Sequence, residues 1–134
     1  MKALPIVILT LIALSACSQN PTSPRADSEA TVMQTLSDMK LEKSSSMERI
    51  PDFQIDSWKY IDHYHIIIET RPKENYLIAF QTYCDGISNT LKIGYTSKTG
   101  ALDRFEKIIV EQPLGRMEEC YIQDIVKLKS MDNT

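Results

Sequence analysis

The chain has 134 residues, a formal net charge of −3 and 25% charged residues, a composition typical of one small and mildly acidic domain. It contains no basic block and no stripe of Lys and Arg interleaved with aromatic residues. Binding to nucleic acid and electrostatic binding to anionic lipid are therefore not expected.

The first 17 residues have the layout of an export signal. Lys2 adds positive charge to the amino terminus, and residues 3–14 are apolar apart from Thr10. This apolar run is shorter than the about 20 residues that span a membrane, and it ends in Leu14-Ser15-Ala16-Cys17. The stretch, residues 1–17, resembles the signal peptide of bacterial lipoproteins, in which such a four-residue motif forms the lipobox.

The resemblance implies a lipid anchor on Cys17. In that family a diacylglycerol is attached to the cysteine sulfur, the leader is cut before it, and the new amine receives a fatty acid such as palmitate, which gives stable attachment to the membrane. An Asp after the cysteine favours inner-membrane retention in that family, so Ser18 implies the periplasmic face of the outer membrane. An ordinary secretory leader, with Cys17 present by chance, is the alternative.

Residues 18–27 are predicted to be a flexible tether. They contain Pro21 and Pro24 among Ser, Asn, Gln and Thr, and this composition cannot form a core. Such a segment lets a domain stand away from the membrane that anchors it.

Residues 28–46 are predicted to be a helix followed by a linker of three serines. Val32, Leu36 and Met39 recur at the spacing of one helix face, and the helix is expected to run to Lys43. The narrow apolar stripe favours packing of the helix on the rest of the domain, and partner binding by this helix is the alternative.

Residues 50–129 are predicted to form a small β-rich domain, followed by a disordered tail at residues 130–134. Apolar and polar residues alternate, with many β-branched residues, in about five short runs, which is typical of strands. The runs at residues 64–70 and 76–82, separated by turn-forming residues, predict an antiparallel hairpin.

The fold class that follows is α+β and mainly β. We expect a small antiparallel curled sheet or open barrel with one N-terminal helix, because the connections between strands are short. Tyr121, Ile122, Ile125 and Val126 have helical spacing, so a short C-terminal helix or covering segment is expected to complete the fold, and a short strand is the alternative.

Cys84 and Cys120 are predicted to form a disulfide. They are the two cysteines that remain in the body of an exported protein, and the compartments outside the cytosol oxidise thiols. A redox-active pair and a metal site are the alternatives, although the close Cys-x-x-Cys spacing of redox pairs is absent.

His63 and His65 are the candidate metal ligands. Residues two apart on a strand face the same way, so both imidazoles would approach one ion, with Cys84 and Cys120 as further ligands if reduced. The simpler interpretation is two ordinary histidines on an exposed strand. No metal or other cofactor is therefore expected.

The sequence carries no recognisable catalytic motif. No serine lies in a Gly-x-Ser-x-Gly elbow, and no glycine-rich phosphate-binding loop is present. The chain is therefore not expected to be an enzyme.

The body of the chain also resembles a family of exported proteobacterial proteins that is itself a domain of unknown function. The resemblance lies in the order and spacing of six short motifs between residues 55 and 128. They are Ile55-x-x-Trp58-x-x-Ile61-Asp62, Tyr76-Leu77-x-x-Phe80, Cys84-x-Gly86, Ile93-Gly94-x-Thr96-Ser97, Phe105-x-x-Ile108-Ile109-Val110 and Cys120-x-Ile122-x-x-Ile125. The resemblance supports the paired cysteines and a compact domain, and it implies no catalytic residues.

The function expected from these patterns is that of a lipid-anchored envelope lipoprotein that binds or scaffolds another envelope protein without catalysis. The alternative is a periplasmic module that binds a small ligand or a metal. It would use His63, His65 or an aromatic surface of Trp58, Tyr60 and Tyr64, although these aromatic residues are more readily interpreted as core.

Overall fold

The structure is a computed structural model that describes Ala3 and residues 24–70 and 73–132. The lipobox and residues 18–23 of the predicted tether lie outside this part of the chain. The elements are α1 (Pro24–Asp38), β1 (Leu41–Met47), β2 (Arg49–Ile50), β3 (Ile55–Asp62), β4 (His65–Thr70), β5 (Glu74–Phe80), β6 (Ile93–Tyr95), β7 (Leu102–Asp103), β8 (Lys107–Glu111) and β9 (Met117–Ser130), with 3₁₀ turns at Asp85–Ser88 and Pro113–Gly115.

The larger sheet is antiparallel and curls into a half-barrel. Its strand order is β3-β4-β5-β9-β8-β6, with β1 also paired to β9, while β2 and β7 form a separate two-stranded ribbon. Both β1 and β5 pair with β9 between Ile125 and Leu128, so they lie along its opposite edges. The prediction of a mainly β fold with a curled antiparallel sheet and one N-terminal helix is confirmed.

The predicted hairpin is present as β4 and β5. These strands pair antiparallel without interruption from His65 opposite Ala79 to Thr70 opposite Glu74. Alternation gave the correct faces here, because β-branched and aromatic residues on a regular strand keep a period of two.

The number of strands is nine among the described residues, whereas about five were predicted. The five predicted runs correspond to β3, β4, β5, β6 and β8. Strands β2 and β7 are only two residues long, so they are too short to show alternation. Strands β1 and β9 were not predicted for other physical reasons, which differ between the two.

The predicted short C-terminal helix is wrong, because this segment is the 14-residue strand β9. Two adjacent residues of β5 face Ile122 and Asp124 of β9, so Gln123 is the extra residue of a β-bulge. The bulge reverses the alternation of side chains along β9, and Ile122 and Ile125 consequently enter the same core. Apolar residues three apart therefore imitate the period of a helix.

Helix α1 differs from its prediction at both ends. It begins at Pro24, inside the predicted tether, because proline suits the first turn of a helix, where the backbone N–H groups have no helical partner. It ends at Asp38 rather than Lys43, and Lys40 follows with a φ of 54°. Within the described part of the chain, no helix has the length and apolar character that crossing a membrane requires.

The segment predicted to be a serine linker is strand β1. Its Leu-Glu-Lys-Ser-Ser-Ser-Met sequence has little strand propensity, but the free edge of β9 supplies hydrogen-bonding partners for its backbone. The predicted disordered tail also begins too early, because Ser130 ends β9 and the Met131 N–H donates to Lys40 O at 2.9 Å. Residues 133–134 lie outside the described residues.

The sheet buries apolar residues on both of its faces. The larger core lies on one face and includes Ile66, Ile68, Ile78, Phe80, Ile122 and Ile125. On the other face, α1 packs on the sheet through a smaller core of Val32, Leu36, Leu41, Ile61, Ile67, Leu77 and Leu128. The apolar stripe of the helix therefore packs on the rest of the domain, as its narrow width predicted.

A disulfide joins Cys84 and Cys120, as predicted. Their Cα atoms are 5.7 Å apart and 36 positions separate them in sequence. Both cysteines are buried in the larger core, where the bond connects the 3₁₀ turn Asp85–Ser88 to the first half of β9.

Replacing both cysteines, with Cys84→Ser and Cys120→Ser, is expected to lower the free energy of unfolding by about 4 kcal/mol. The chain-entropy model gives this value for the loop that the bond closes in the unfolded chain. Urea denaturation of the oxidised proteins measures the change. Cys17→Ser is the matched control and should leave the midpoint unchanged, and an unchanged midpoint in the double variant would contradict a stabilising disulfide.

Candidate functional site

A buried polar group ties helix α1 to the turn between β3 and β4. Ser28 lies on α1, Asp62 ends β3 and His65 begins β4. The Ser28 hydroxyl donates to Asp62 Oδ2 at 2.6 Å and lies 2.9 Å from His65 Nδ1, which is 3.2 Å from Asp62 Oδ1. Ser28 and His65 are only 6% and 3% exposed, so these polar side chains satisfy one another away from water.

Asp62 is the acceptor at the centre of this group. Burial opposes its ionisation, but hydrogen bonds from His65, Ser28 and the Tyr64 backbone N–H together outweigh burial and lower the pKa of Asp62 below its ordinary value. Asp62 is therefore an anion at neutral pH. Its charge strengthens the hydrogen bonds that hold the helix to the turn.

Ser, His and Asp also form the triads of hydrolases, but the geometry here is different. In a triad the serine and the aspartate lie at opposite nitrogens of the imidazole. Here both Ser28 and Asp62 lie at Nδ1 of His65, whereas Nε2 lies 3.8 Å from Glu29 Oε1. Ser28 donates its hydrogen to Asp62, so the imidazole does not activate its oxygen. The arrangement supports an anchoring role for the group.

Sequence reasoning missed this group, although one signal was available. Ser28 lies four residues before Val32 and eight before Leu36, and the structure buries all three on one face of α1. A polar residue in an apolar stripe requires a hydrogen-bonding partner when it is buried. The interpretation of His65 as an exposed histidine was also wrong, because helix α1 covers this side chain.

Four aromatic rings form a second feature beside this group, which we call the aromatic surface: Tyr60, His63, Tyr64 and Tyr83. His63 stacks on Tyr83 with ring centroids 4.3 Å apart, and the rings of Tyr60 and Tyr64 meet His63 and Tyr83 edge-on at 5.8 and 5.7 Å. Tyr60 and Tyr83 are 37% and 52% exposed. The rings hold one another in place and leave apolar area and hydroxyl groups open to contact.

Arg25 borders the aromatic surface. Its guanidinium lies 5.8 Å from the centroid of the Tyr64 ring and also contacts Phe80 O and the Gln123 side chain. A shallow cavity of about 170 Å³ lies between the first turns of α1 and this surface. The start of the helix is therefore fixed against the aromatic surface.

The predicted aromatic residues divide between core and surface. Trp58 packs against the larger core, as preferred, but Tyr60 belongs to the surface, so the core interpretation was wrong for it. Tyr83 was missed, because it follows the predicted hairpin in a segment without alternation.

The two candidate metal ligands do not share one site. The Nδ1 atom of His63 lies 3.3 Å from the Tyr60 hydroxyl, whereas His65 faces Ser28 and Asp62. Among residues 24–70 and 73–132, no group of three potential metal-ligating side chains includes either histidine.

The group of potential metal ligands that does occur in the described residues is Cys84, Glu118 and Cys120. Its two sulfur atoms are bonded to each other, so neither is a thiolate. Glu118 instead accepts hydrogen bonds from the backbone N–H groups of Asp85 and Gly86, at 2.9 and 2.6 Å, and from Gln112 Nε2 at 2.8 Å. The carboxylate therefore acts as a clamp next to the disulfide.

Comparison with known proteins assigns the chain to a family. The model of a protein family described as a family of unknown function (DUF6491) matches residues 1–133. No curated protein and no solved structure matches the chain significantly.

Asp62→Asn is expected to lower the free energy of unfolding by about 2 kcal/mol at pH 7, because a neutral amide replaces a charged acceptor of buried hydrogen bonds. The lowered pKa of Asp62 means that its contribution is complete above the pKa of an unfolded aspartate, about 3.9, and is lost as the pH falls through the lowered pKa. Urea denaturation at pH 7 and at pH 3 should therefore give a smaller difference between variant and wild type at the lower pH.

Asp52→Asn is the matched control for this measurement. Asp52 is exposed, and its φ of 46° is one that asparagine also tolerates. This control should leave stability nearly unchanged at both pH values. An equal loss in Asp62→Asn at pH 7 and pH 3 would show that packing, not ionisation, determines the effect.

Proposed function

The chain belongs to the family of unknown function DUF6491, and from this premise we propose that it is an exported lipoprotein. We further propose that its disulfide-bonded β domain binds another protein of the cell envelope and does not catalyse a reaction. The single observation that carries the proposal is the buried disulfide. Disulfides persist outside the cytosol, so a Cys84–Cys120 bond supports export. It also accounts for two of the three cysteines and leaves Cys17 for the lipobox.

The proposed anchor is lipid on Cys17 at the periplasmic face of the outer membrane. Seven peptide units join Cys17 to Pro24, where the helix begins, and they span at most about 24 Å. The domain would therefore stay within one domain diameter of the bilayer. This closeness is suited to a protein whose partner also lies at the membrane.

The aromatic surface is the proposed contact for the protein partner. Tyrosine rings supply large contact areas with little loss of conformational freedom, and here the rings are already held by stacking and edge-on contacts. The Ser28–Asp62–His65 group keeps the adjoining helix in place and has no free nucleophile, which supports binding rather than catalysis.

Cys17→Ala is expected to abolish incorporation of radioactive palmitate in cells and to move the protein from the membrane fraction to the soluble or precursor fraction. The thioether and amide sites for lipid are lost with this residue. The Cys84→Ser/Cys120→Ser variant retains Cys17 and is the matched control, and it should incorporate label normally. Unchanged labelling of Cys17→Ala would refute the lipid anchor.

A photo-crosslinking amino acid at Tyr83 is expected to give a discrete adduct with one envelope protein in living cells. The same amino acid at Lys98, an exposed turn residue, is the control and should not give this adduct. Tyr60→Ala should weaken the Tyr83 adduct, because it removes a neighbouring part of the aromatic surface. Identical adducts from both positions would show that the aromatic surface is not the specific contact.

A further inference from the structure

Two loops at one end of the sheet each carry a leucine that packs on nothing. Leu91 is 99% exposed and Leu114 is 100% exposed, and the nearby Met117 is 63% exposed. Single exposed leucines are normal on protein surfaces, whereas exposed apolar side chains that share one surface are typical of a contact site.

The two leucines belong to one surface. Both line a single open cavity of about 360 Å³ between residues 89–92 and residues 111–115. Met117 lines the adjoining cavity together with Lys92. We call Leu91, Leu114 and Met117 the tip surface.

The backbone holds Leu114 outwards. Leu114 has a φ of 70°, which a leucine rarely adopts and a glycine would adopt freely. The loop is closed around it, since the Gln112 N–H donates to Arg116 O at 2.7 Å and the Gly115 N–H donates to Gln112 O at 3.2 Å. A strained residue fixed in full exposure points to a function for that side chain.

The two loops are also tied to each other. Glu118 accepts hydrogen bonds from Gly86, which precedes the first loop, and from Gln112, which begins the second. Gly86 allows this close approach, because a Cβ atom there would lie 2.7 Å from Gln112 Cγ. The disulfide beside this clamp fixes the same elements, so the tip surface is rigid before it meets a partner.

The contacts of α1 with β9 indicate how far the start of the helix lies from the tip surface. Near its start, Arg25 contacts Gln123 in the middle of β9, and just after its end Lys40 O accepts a hydrogen bond from Met131 beyond β9. The helix therefore begins nearer the start of β9, which is where Met117 lies. Met117 is six residues before Gln123, or about 20 Å along the strand.

This distance is similar to the reach of the segment from Cys17 to Pro24, at most about 24 Å. A bilayer that holds lipid on Cys17 therefore lies within reach of the tip surface. The lining of the cavity has one lysine, Lys92, and one carboxylate, Glu111, so it carries no net charge that would repel phospholipid headgroups.

We propose that the tip surface inserts Leu91, Leu114 and Met117 into the interface of the lipid bilayer and thereby orients the domain on the membrane. The inference rests on the proposed lipid anchor at Cys17. Separate side chains at loop tips suit a fluid hydrocarbon boundary, whereas a stable protein interface requires about 800 Å² of fitted surface on each partner.

The test uses the lipidated full chain in liposomes of phosphatidylethanolamine and phosphatidylglycerol, with acyl chains that are either plain or brominated. Leu91→Trp and Leu114→Trp place a fluorophore at each tip, and Lys98→Trp is the matched exposed control. Trp58, the one native tryptophan, gives a constant background. In brominated liposomes both tip variants should lose about half of the fluorescence that comes from the introduced tryptophan, because interfacial side chains lie about 5–10 Å deep. The introduced tryptophan of Lys98→Trp should lose no fluorescence.

Flotation of the liposomes separates the failure of this inference from the failure of the anchor. Protein that floats but shows equal emission in plain and brominated liposomes would overturn the insertion of the tip surface and leave the anchor intact. Protein that does not float would contradict the anchor and this inference with it. A blue shift without quenching by bromine would assign the tip surface to protein contact instead and would also overturn the proposal.

Discussion

The fold depends on the backbone pairing of β9. This strand pairs with β8 over its first five residues and with β5 and β1 over the rest, so both of its edges are used. Buried N–H and C=O groups need partners, and loss of β9 would leave three other strands unpaired along one edge. Because β1 begins at Leu41 and β9 ends at Ser130, the pairing also joins the two ends of the domain. Formation of the sheet therefore has to wait for contacts between distant parts of the chain.

The two faces of the sheet are stabilised in different ways. The larger core has many apolar side chains and a disulfide, whereas the helix face has the smaller core around Val32 and Leu36. Apolar contacts of this kind turn the stripe of the helix towards the sheet, but they are not directional and constrain its position along its axis less strictly. The hydrogen bonds of Ser28 with Asp62 and His65 have defined directions and supply that specificity. The same contacts place the start of the helix beside the aromatic surface.

The parts of the fold that could be predicted from sequence are those with a regular period. Strands β4 and β5 alternate without interruption, and the residues of their hairpin were assigned to the correct faces. The C-terminal strand could not be recognised, because the bulge at Gln123 gives Ile122 and Ile125 a helical spacing. Strand β1 could not be recognised either, because its partner, not its own sequence, makes it a strand.

In the candidate site, too, only the features with a simple signal in the sequence could be predicted. The disulfide was predictable because it needed only a count of cysteines and a compartment. The Ser28–Asp62–His65 group joins residues 34 and 37 positions apart, and no local pattern reports such a contact. The aromatic surface was predicted in part, through Tyr60 and Tyr64, and its most exposed member, Tyr83, lies where the alternation has ended.

An open half-barrel has edge strands, and these have a consequence for self-association. Strand β3 pairs only with β4 among the described strands, so its other edge is available to a neighbouring molecule. Its pairing is irregular twice, between Ile55 and Ser57 and between Tyr60 and Asp62, and Lys59 adds a charge between these positions. Irregular, charged edge strands resist edge-to-edge aggregation. The β3 edge is thus suited to the high local concentration that the proposed lipid anchor would produce.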